Sequence, residues 1–411
     1  MAVIEVAAST VWQSVRRSAM LVAVACGGVA CGQDGGAGNE PPPVGMIEVR
    51  GGGDNVPERF SSDLWIHGDH AYTGTWGGFA RTGVQGDVVK IWRLDATGAP
   101  VLADSVKIAA VGTVSDLQVS EDGALLVVSA ERGSGGGMYL YELTDAEHPV
   151  PLGSAIVGQA GIHTVTLATI AGVRYAFAAR NPGPTASAAD DPSLLIYDLH
   201  DPRQPALVAR KPVPRAYGIH DTFVRDGIAF VFAWNTGVIV YDVGNGIRGG
   251  SAAAPVEVSR IVTAENAVAG GPAAHNGWWF DNPVTGERRY LFVGQEGPGS
   301  IGSSSSGDIH VLDVSDLTSP REVAFFHRDG AGTHNFWMDE ARQVLYAAYY
   351  NGGVVALDVS GTLEGDLSSR LLSELKPGGE GDTYTWGVQL ANGSLYAIDM
   401  LSGLWQLAPL Q

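Results

Sequence analysis

Seven repeats of about 48 to 59 residues, each with several short runs of β-forming residues, predict an all-β protein folded as a seven-bladed β-propeller. The 56 Gly and 21 Pro residues support this prediction, because many short strands need many tight turns. Hydrophobic residues make up 45% of the chain and charged residues only 17%, which indicates a well-buried domain rather than a disordered one. We therefore expect four-stranded antiparallel blades around one central channel.

The repeat is clearest in residues 220–243, HDTFVRDGIAFVFAWNTGVIVYDV. The turn at Asp226-Gly227 and the break at 234–237 separate three strand-like runs, and Pro255 opens a fourth. The residues that open the first strand of each unit are Ser62, Ser115, His163, His220, His275, His334 and Thr385.

The last repeat stops after its third strand, because only four residues follow Leu407. The short run Met46–Arg50 lies ahead of the first repeat and has no other role. We predict that it supplies the fourth strand of the last blade, so that the propeller comprises residues 46–411 and no sheet edge is left open.

The N-terminal segment has the features of an export signal. Arg16-Arg17 precede a short apolar stretch at 19–30, and the chain's two cysteines, Cys26 and Cys31, follow small residues as in the lipobox of bacterial lipoproteins. We predict a signal peptide over 1–31 with lipidation at Cys31, the alternative being Cys26, and a flexible linker over 32–45. An ordinary signal peptide without a lipid anchor, and a twin-arginine signal, remain alternatives.

These features predict a monomeric lipoprotein of the bacterial envelope, at the outer membrane or cell surface. The formal net charge of -19 argues against nucleic acid as a partner, and against any membrane contact beyond the anchor. Because no cysteine remains outside this segment, the folded domain has no disulfide framework.

Two segments, 194–205 (LLIYDLHDPRQP) and 309–320 (IHVLDVSDLTSP), resemble the repeats of the LVIVD-type β-propeller family of bacterial exported proteins, which includes the group called choice-of-anchor B. The resemblance extends over roughly residues 46–410, although Arg93 stands where the first repeat would have Asp. It implies an exported propeller and no particular reaction.

In a propeller the first strand of each blade lines the channel, and it begins on the face that carries the loops between second and third strands. Four histidines should therefore meet at this channel mouth: His163, His220, His275 and His334. The same face should carry a rim of ligand-binding residues: Trp76, Arg132, Arg180, Trp234, Asn235, Glu296 and Asn351.

Two functions fit this face. The first is a non-catalytic scaffold that needs no cofactor and binds a small ligand, a glycan or an envelope protein, with the histidines orienting the start of each blade. The alternative is a copper-, iron- or zinc-dependent oxidoreductase that uses the four histidines, with Glu296 or an Asp near the channel completing the set of ligands. Methanethiol oxidases of the selenium-binding protein type and nitrous oxide reductase are similar propellers with channel histidines, but their motifs do not occur here.

Other polar residues are predicted to be structural. An acidic residue follows several third strands, at Asp198, Asp242, Asp313 and Asp358, with Glu142 in the second repeat, and can accept hydrogen bonds from the amides of the turn that comes next. No nucleophile elbow, phosphate loop or close-spaced zinc motif occurs. The long loops 297–307 and 181–193 are predicted to be flexible rims or partner-contacting segments.

Overall fold

The computed structural model describes residues 45–53, 59–77, 86–95, 98–182, 191–213, 218–264 and 271–411. These residues form seven mainly antiparallel blades, which confirms the predicted all-β seven-bladed propeller. Each inner strand contacts the inner strand of the next blade, and the inner strand of the last blade contacts that of the first, so the ring is closed. The predicted signal peptide, both cysteines and nearly all of the linker lie outside the described residues.

The chain begins with strand β1 (Glu48–Gly52). Blade I contains β2 (Phe60–His67), β3 (His70–Trp76), β4 (Val88–Arg93) and β5 (Val101–Lys107). Blade II contains β6 (Thr113–Val119), β7 (Leu125–Glu131), β8 (Gly137–Glu142) and β9 (Val150–Ile156). Blade III contains β10 (Thr164–Ile170), β11 (Val173–Arg180), β12 (Ser193–Asp198) and β13 (Ala206–Pro212). Blade IV contains β14 (Asp221–Arg225), β15 (Ile228–Phe232), β16 (Val238–Asp242) and β17 (Val256–Ile261).

Blade V contains β18 (Ala274–Trp279), β19 (Tyr290–Gln295), a small hairpin of β20 (Gly297–Pro298) and β21 (Ser305–Ser306), then β22 (Ile309–Asp313) and β23 (Arg321–Phe326). Blade VI contains β24 (Phe336–Asp339), β25 (Val344–Ala348), β26 (Val354–Asp358), a two-residue strand β27 (Gly365–Asp366) that pairs in parallel with β23, a 3-10 turn (Ser368–Arg370) and β28 (Leu371–Leu375). Blade VII contains β29 (Thr385–Ala391), β30 (Ser394–Asp399) and β31 (Gly403–Ala408).

The N-terminal strand closes the ring as predicted. Strand β1 pairs antiparallel with β31, with Glu48 opposite Ala408 and Gly52 opposite Trp405. The strand begins at Glu48, two residues later than the predicted run, and Ile47 just before it is 3% exposed within the cluster between blades VI and VII. The backbone N–H of Ile47 also donates to Ser373 Oγ at 3.1 Å. Backbone pairing of β1 with β31 and burial of Ile47 therefore join the two ends of the domain.

Side chains of neighbouring blades form hydrogen bonds with the unpaired backbone groups along the channel edge of several inner strands. Asp116 Oδ2 accepts the backbone N–H of Val165 at 2.7 Å, and Gln118 Oε1 accepts that of Leu167 at 2.6 Å. Gln389 in blade VII makes two such bonds to Ile66, one to its N–H and one to its carbonyl. An inner strand has no neighbouring strand on its channel edge, so these side chains supply hydrogen bonds that a further strand would otherwise make.

The four aspartates after the third strands act as predicted, whereas Glu142 accepts the hydroxyl of Thr144. Asp198 accepts the backbone N–H of His200, Asp313 that of Ser315 and Asp358 that of Ser360. Asp242 accepts five, from residues 244, 245, 246, 248 and 250. These donors lower the pKa of Asp242 to about 2, even though burial alone would raise it.

None of the helical segments in the described ranges is long and apolar enough to cross a membrane.

Candidate functional site

The four predicted histidines converge at one mouth of the channel. The ring centroids of His163 and His220 lie 4.1 Å apart, those of His220 and His275 3.8 Å apart, and those of His275 and His334 4.3 Å apart. Each belongs to a different blade and lies within two residues of the start of its inner strand. All four are buried, with exposed fractions of 6%, 5%, 1% and 1% in chain order.

Glu296, just after β19, brings a carboxylate to this group. Its Oε2 lies 3.4 Å from His220 Nε2 and 3.8 Å from His275 Nε2. One ligand atom from each of these three buried residues lies within 4.8 Å of the other two. Two imidazoles and one carboxylate this close together form a set of ligands that a transition metal ion uses.

Several ring nitrogens in the cluster have no hydrogen bond of good geometry to any described residue. This holds for both nitrogens of His275, for Nδ1 of His220 and for Nε2 of His334. His163 Nδ1 lies 3.1 Å from Glu131 Oε2, close enough for an ion pair but not aligned for a hydrogen bond. Buried polar atoms are almost always paired, so these orphaned nitrogens need an explanation.

Burial sets the protonation of the cluster. It lowers the pKa of His275 to about 3 and that of His220 and His334 well below the ordinary value, and the neighbouring imidazoles add to the effect on the latter two. Burial also lowers the pKa of His163, but the carboxylates of Glu131 and Glu296 outweigh it and raise that pKa. Three of the four imidazoles are therefore neutral near pH 7, the state that can bind a metal ion.

Glu296 is oriented by a tyrosine of the next blade. The hydroxyl of Tyr350 donates a hydrogen bond to Glu296 Oε1, which leaves Oε2 facing His220 and His275. Burial raises the pKa of Glu296 to about 7, and the hydrogen bond from Tyr350 opposes this rise. A bound cation would favour the ionised carboxylate.

Aromatic rings enclose the histidines. Trp386 packs on His334 at 4.1 Å and on Trp76 at 5.2 Å, while Trp234 packs edge-on against His220 at 5.1 Å. Tyr350 stacks on Tyr384 at 4.4 Å. The site is thus a polar cluster inside an apolar wall, where electrostatic interactions are weakly screened.

Two of these aromatic residues have a left-handed backbone. Trp234 has φ 47° and Tyr350 has φ 45°, a region that costs a bulky residue about 1–3 kcal/mol. Trp234 exchanges two backbone hydrogen bonds with Ala274, and Tyr350 exchanges two with Thr385, each on the inner strand of the following blade. These bonds hold the strained residues in place and aim their rings at the histidines.

The structure places the predicted rim residues in two groups. Trp76, Trp234 and Glu296 contact the histidines directly, and the Arg132 guanidinium lies 5.1 Å from the Trp76 ring. The other three contact loops away from the cluster: Arg180 pairs with Asp191, Asn235 accepts the N–H of Ala273, and Asn351 bonds Ser305 and Gly330. Sequence reasoning missed Glu131, Tyr350, Tyr384 and Trp386, although the first two share with Trp76 a position at the end of a second strand.

The loop 297–307 covers one side of the cluster. It forms the β20–β21 hairpin, its Gly299 N–H donates to the Tyr384 hydroxyl at 3.3 Å, and Ile301 packs against the apolar cluster that includes Tyr350 and Tyr384. The hairpin therefore forms part of the wall of the site. Much of the other long loop, residues 183–190, lies outside the described residues.

Comparison with known proteins shows the fold alone. No protein-family model matches the chain and no curated protein matches it, so membership of the LVIVD family stays a prediction. Among solved structures, the Cps50 (Swd1) β-propeller domain of Myceliophteria thermophila is similar, with a TM-score of 0.53 and 12% identity over 88% of this chain and 98% of that one. As many as 1402 solved chains match, so the likeness singles out no function.

Proposed function

We propose that this chain is a metal-binding β-propeller that holds one divalent transition metal ion at the mouth of its channel. The observation that carries the proposal is the convergence of His220, His275 and Glu296, three buried residues whose ligand atoms lie within 4.8 Å of one another. A histidine that only orients a strand makes hydrogen bonds with its ring nitrogens, whereas His275 makes none of good geometry to the described residues.

The ligand set favours iron(II) and leaves zinc and copper as alternatives. Two histidines and one carboxylate that occupy one side of an ion form the facial triad of non-haem iron proteins, while imidazole also suits zinc and copper. His163 and His334 flank the triad, and His163 Nε2 lies 2.9 Å from His220 Nε2, so a metal ion bound to His220 Nε2 would replace that hydrogen bond. Tyr350 and Glu131 would act from the second shell, by orienting Glu296 and His163.

Metal content of the purified protein tests this proposal. Elemental analysis after chelator-free purification should find about one iron, zinc or copper ion per chain, and the double variant His220→Ala, His275→Ala should lose it while its circular dichroism stays that of a β-protein. His148→Ala is the control, because that ring is 66% exposed and remote from the cluster. Full metal content in the double variant, or none in the wild type, would contradict the proposal.

A second candidate is an oxidoreductase that uses this ion. The specific support is the triad, which leaves coordination positions open for an oxidant or substrate, together with the stacked Tyr350 and Tyr384 beside it. Nitric oxide binding to the iron(II) form, followed by electron paramagnetic resonance, measures open positions. An ion that binds no nitric oxide would have a structural role, and the propeller would then remain the binding scaffold that its fold is compatible with.

Export and lipid anchoring through Cys31, or alternatively Cys26, are part of the proposal. The support is the short apolar segment after Arg16-Arg17 and the small residues before each cysteine. Palmitate labelling in a bacterial host should disappear in the double variant Cys26→Ala, Cys31→Ala. Labelling that persists in this variant would rule out the anchor. We propose that the loop-bearing face of the anchored protein binds small ligands, glycans or envelope proteins.

A further inference from the structure

Below the histidine cluster, the channel contains a cavity of about 520 Å³ whose lining includes none of the four histidines. The inner strands run from the histidines along its wall to the opposite face of the propeller. Side chains two residues apart on a strand point to the same side, so each inner strand can present two residues to the cavity, about 7 Å apart along the channel. Four strands pair a polar residue with an aromatic one in this way: Asp63 with Trp65, Asp221 with Phe223, Asn276 with Trp278, and Asn335 with Trp337.

The aromatic residues form a continuous arc, which we call the aromatic tier (Trp65, Trp337, Trp278 and Phe223). Ring centroids are 6.1 Å apart between Trp65 and Trp337, 5.2 Å between Trp337 and Trp278, and 5.3 Å between Trp278 and Phe223. All four are only partly buried, although each packs against a hydrophobic cluster formed by two neighbouring blades. Three partly exposed indoles inside a cavity offer π-faces to a bound molecule.

The polar residues above them include three carboxyl groups, which we call the acidic tier (Asp63, Asp116 and Asp221). Each accepts the backbone N–H of the next residue in its own strand. No Lys or Arg of the described ranges forms an ion pair with any of the three. Every carboxylate oxygen has two acceptor sites, so these groups retain capacity for a donor in the cavity.

Blade VII leaves space at the level of the acidic tier. Its residue there is Gly387, and a Cβ atom at this position would lie 2.6 Å from Asp63 Oδ1. The glycine lets Asp63 reach across blade VII to Asn335, whose amide donates to Asp63 Oδ2. The small residue thus holds one carboxyl group of the tier in position inside the channel.

We propose that this cavity binds a small organic ammonium ion, with its positive head between the acidic tier and the aromatic tier. A cation above indole faces is attracted by the ring quadrupole, and alkylammonium groups are the usual occupants of aromatic cages. Burial raises the pKa of Asp63 to about 8 and that of Asp116 well above its ordinary value, so a bound cation would favour the ionised carboxylates, as a neutral ligand such as a sugar would not. Arg225 also lines the cavity, and its guanidinium is paired with Glu340. The volume is in the range of small-molecule sites. This inference uses none of the proposed metal ligands.

Binding of choline, compared with its neutral isostere 3,3-dimethylbutan-1-ol, tests the charge requirement by calorimetry on the whole protein. We expect choline to bind at least ten times more tightly than the alcohol, and glucose not to bind. Equal binding of choline and the alcohol, binding of glucose in preference to choline, or no binding of choline would overturn the inference. Choline binding in this cavity does not depend on a metal ion at the histidines. A negative result would therefore leave the metal proposal untouched.

Variants locate the binding site. Trp337→Leu and Asp63→Asn should each weaken choline binding about tenfold or more, whereas Trp337→Phe, which keeps an aromatic face, should weaken it less. Trp405→Leu is the matched control, since Trp405 is a partly buried tryptophan in β31 outside the cavity lining. If Trp337→Leu does not fold, as judged by circular dichroism, Trp337→Phe and Asp63→Asn still decide the outcome. Unchanged choline affinity in the folded variants would contradict the inference.

Discussion

Tyr350 donates its hydroxyl hydrogen bond to Glu296 across the boundary between blades V and VI, which directs the other carboxylate oxygen toward His220, 3.4 Å away. The tyrosine can do this because its backbone is left-handed and is held by two hydrogen bonds to Thr385 of blade VII. Three consecutive blades therefore cooperate to place one carboxylate. This arrangement leads to the first two predictions.

Tyr350→Phe should weaken metal binding about 10- to 100-fold, the usual cost of removing a second-shell partner. The ring and its stacking on Tyr384 remain, and only the hydrogen bond to Glu296 is lost. Competition with a chelator of known affinity measures the change. Tyr139→Phe is the control, because its hydroxyl bonds the carbonyl of Gly135 away from the site. Equal losses in both variants would contradict a role for Tyr350 at the metal.

Glu296→Gln should abolish stoichiometric metal binding but leave the metal-free protein at least as stable as the wild type. Glutamine keeps the shape and can still accept a hydrogen bond from Tyr350, and it removes a buried carboxyl group that no Lys or Arg of the described residues pairs with. Urea unfolding of both metal-free proteins gives the comparison. A large fall in the free energy of unfolding, with metal binding retained, would show that Glu296 is structural.

Ile47→Ala should lower the free energy of unfolding by about 2–5 kcal/mol, as for other large-to-small core substitutions. Ile47 is 3% exposed in the cluster between blades VI and VII, next to the strand that closes the ring. Its neighbour Met46 is 72% exposed, so Met46→Ala is a matched control expected to change little. Similar denaturation midpoints for both variants would argue against closure by the N-terminal strand.

Asp242→Asn should destabilise the protein by about 2–3 kcal/mol at pH 7, because the carboxylate that accepts five amides is lost. The folded-state pKa of about 2 is below the ordinary aspartate value of 3.8. The stabilisation is therefore complete above about pH 4 to 5 and disappears as the pH falls toward 2. The difference in the free energy of unfolding between wild type and variant should shrink over that range. Glu364→Gln, an exposed acid, is the control, and a gap that does not depend on pH would contradict this explanation.

Much of the fold could be predicted from the sequence because each blade is a local pattern. The meander at 220–243 repeats along the chain, and the missing last strand could be inferred by counting. The convergence of His163, His220, His275 and His334 followed from the same repeat, since equivalent positions in a propeller meet at the channel.

The detail of the site could not be predicted, because it depends on departures from the regular pattern. The register shift between Thr385 and Gly387 accompanies the turn of Trp386 toward His334, and the left-handed Tyr350 reaches Glu296 from another blade. A similar shift between Ser61 and Leu64 precedes Trp65 in the aromatic tier. Bulges of this kind alter side-chain direction without a clear signal in the sequence.

Anomalous diffraction at the metal absorption edges tests the central claim most directly. Crystals of protein purified without chelators should show one strong anomalous peak bounded by His220 Nε2, His275 Nε2 and Glu296 Oε2, at about 2.0–2.2 Å from its ligands. The peak should appear at the edge of iron, zinc or copper and be absent from crystals of Glu296→Gln. A well-ordered wild-type channel mouth with no anomalous peak, or a peak only at surface histidines, would contradict the metal-binding function.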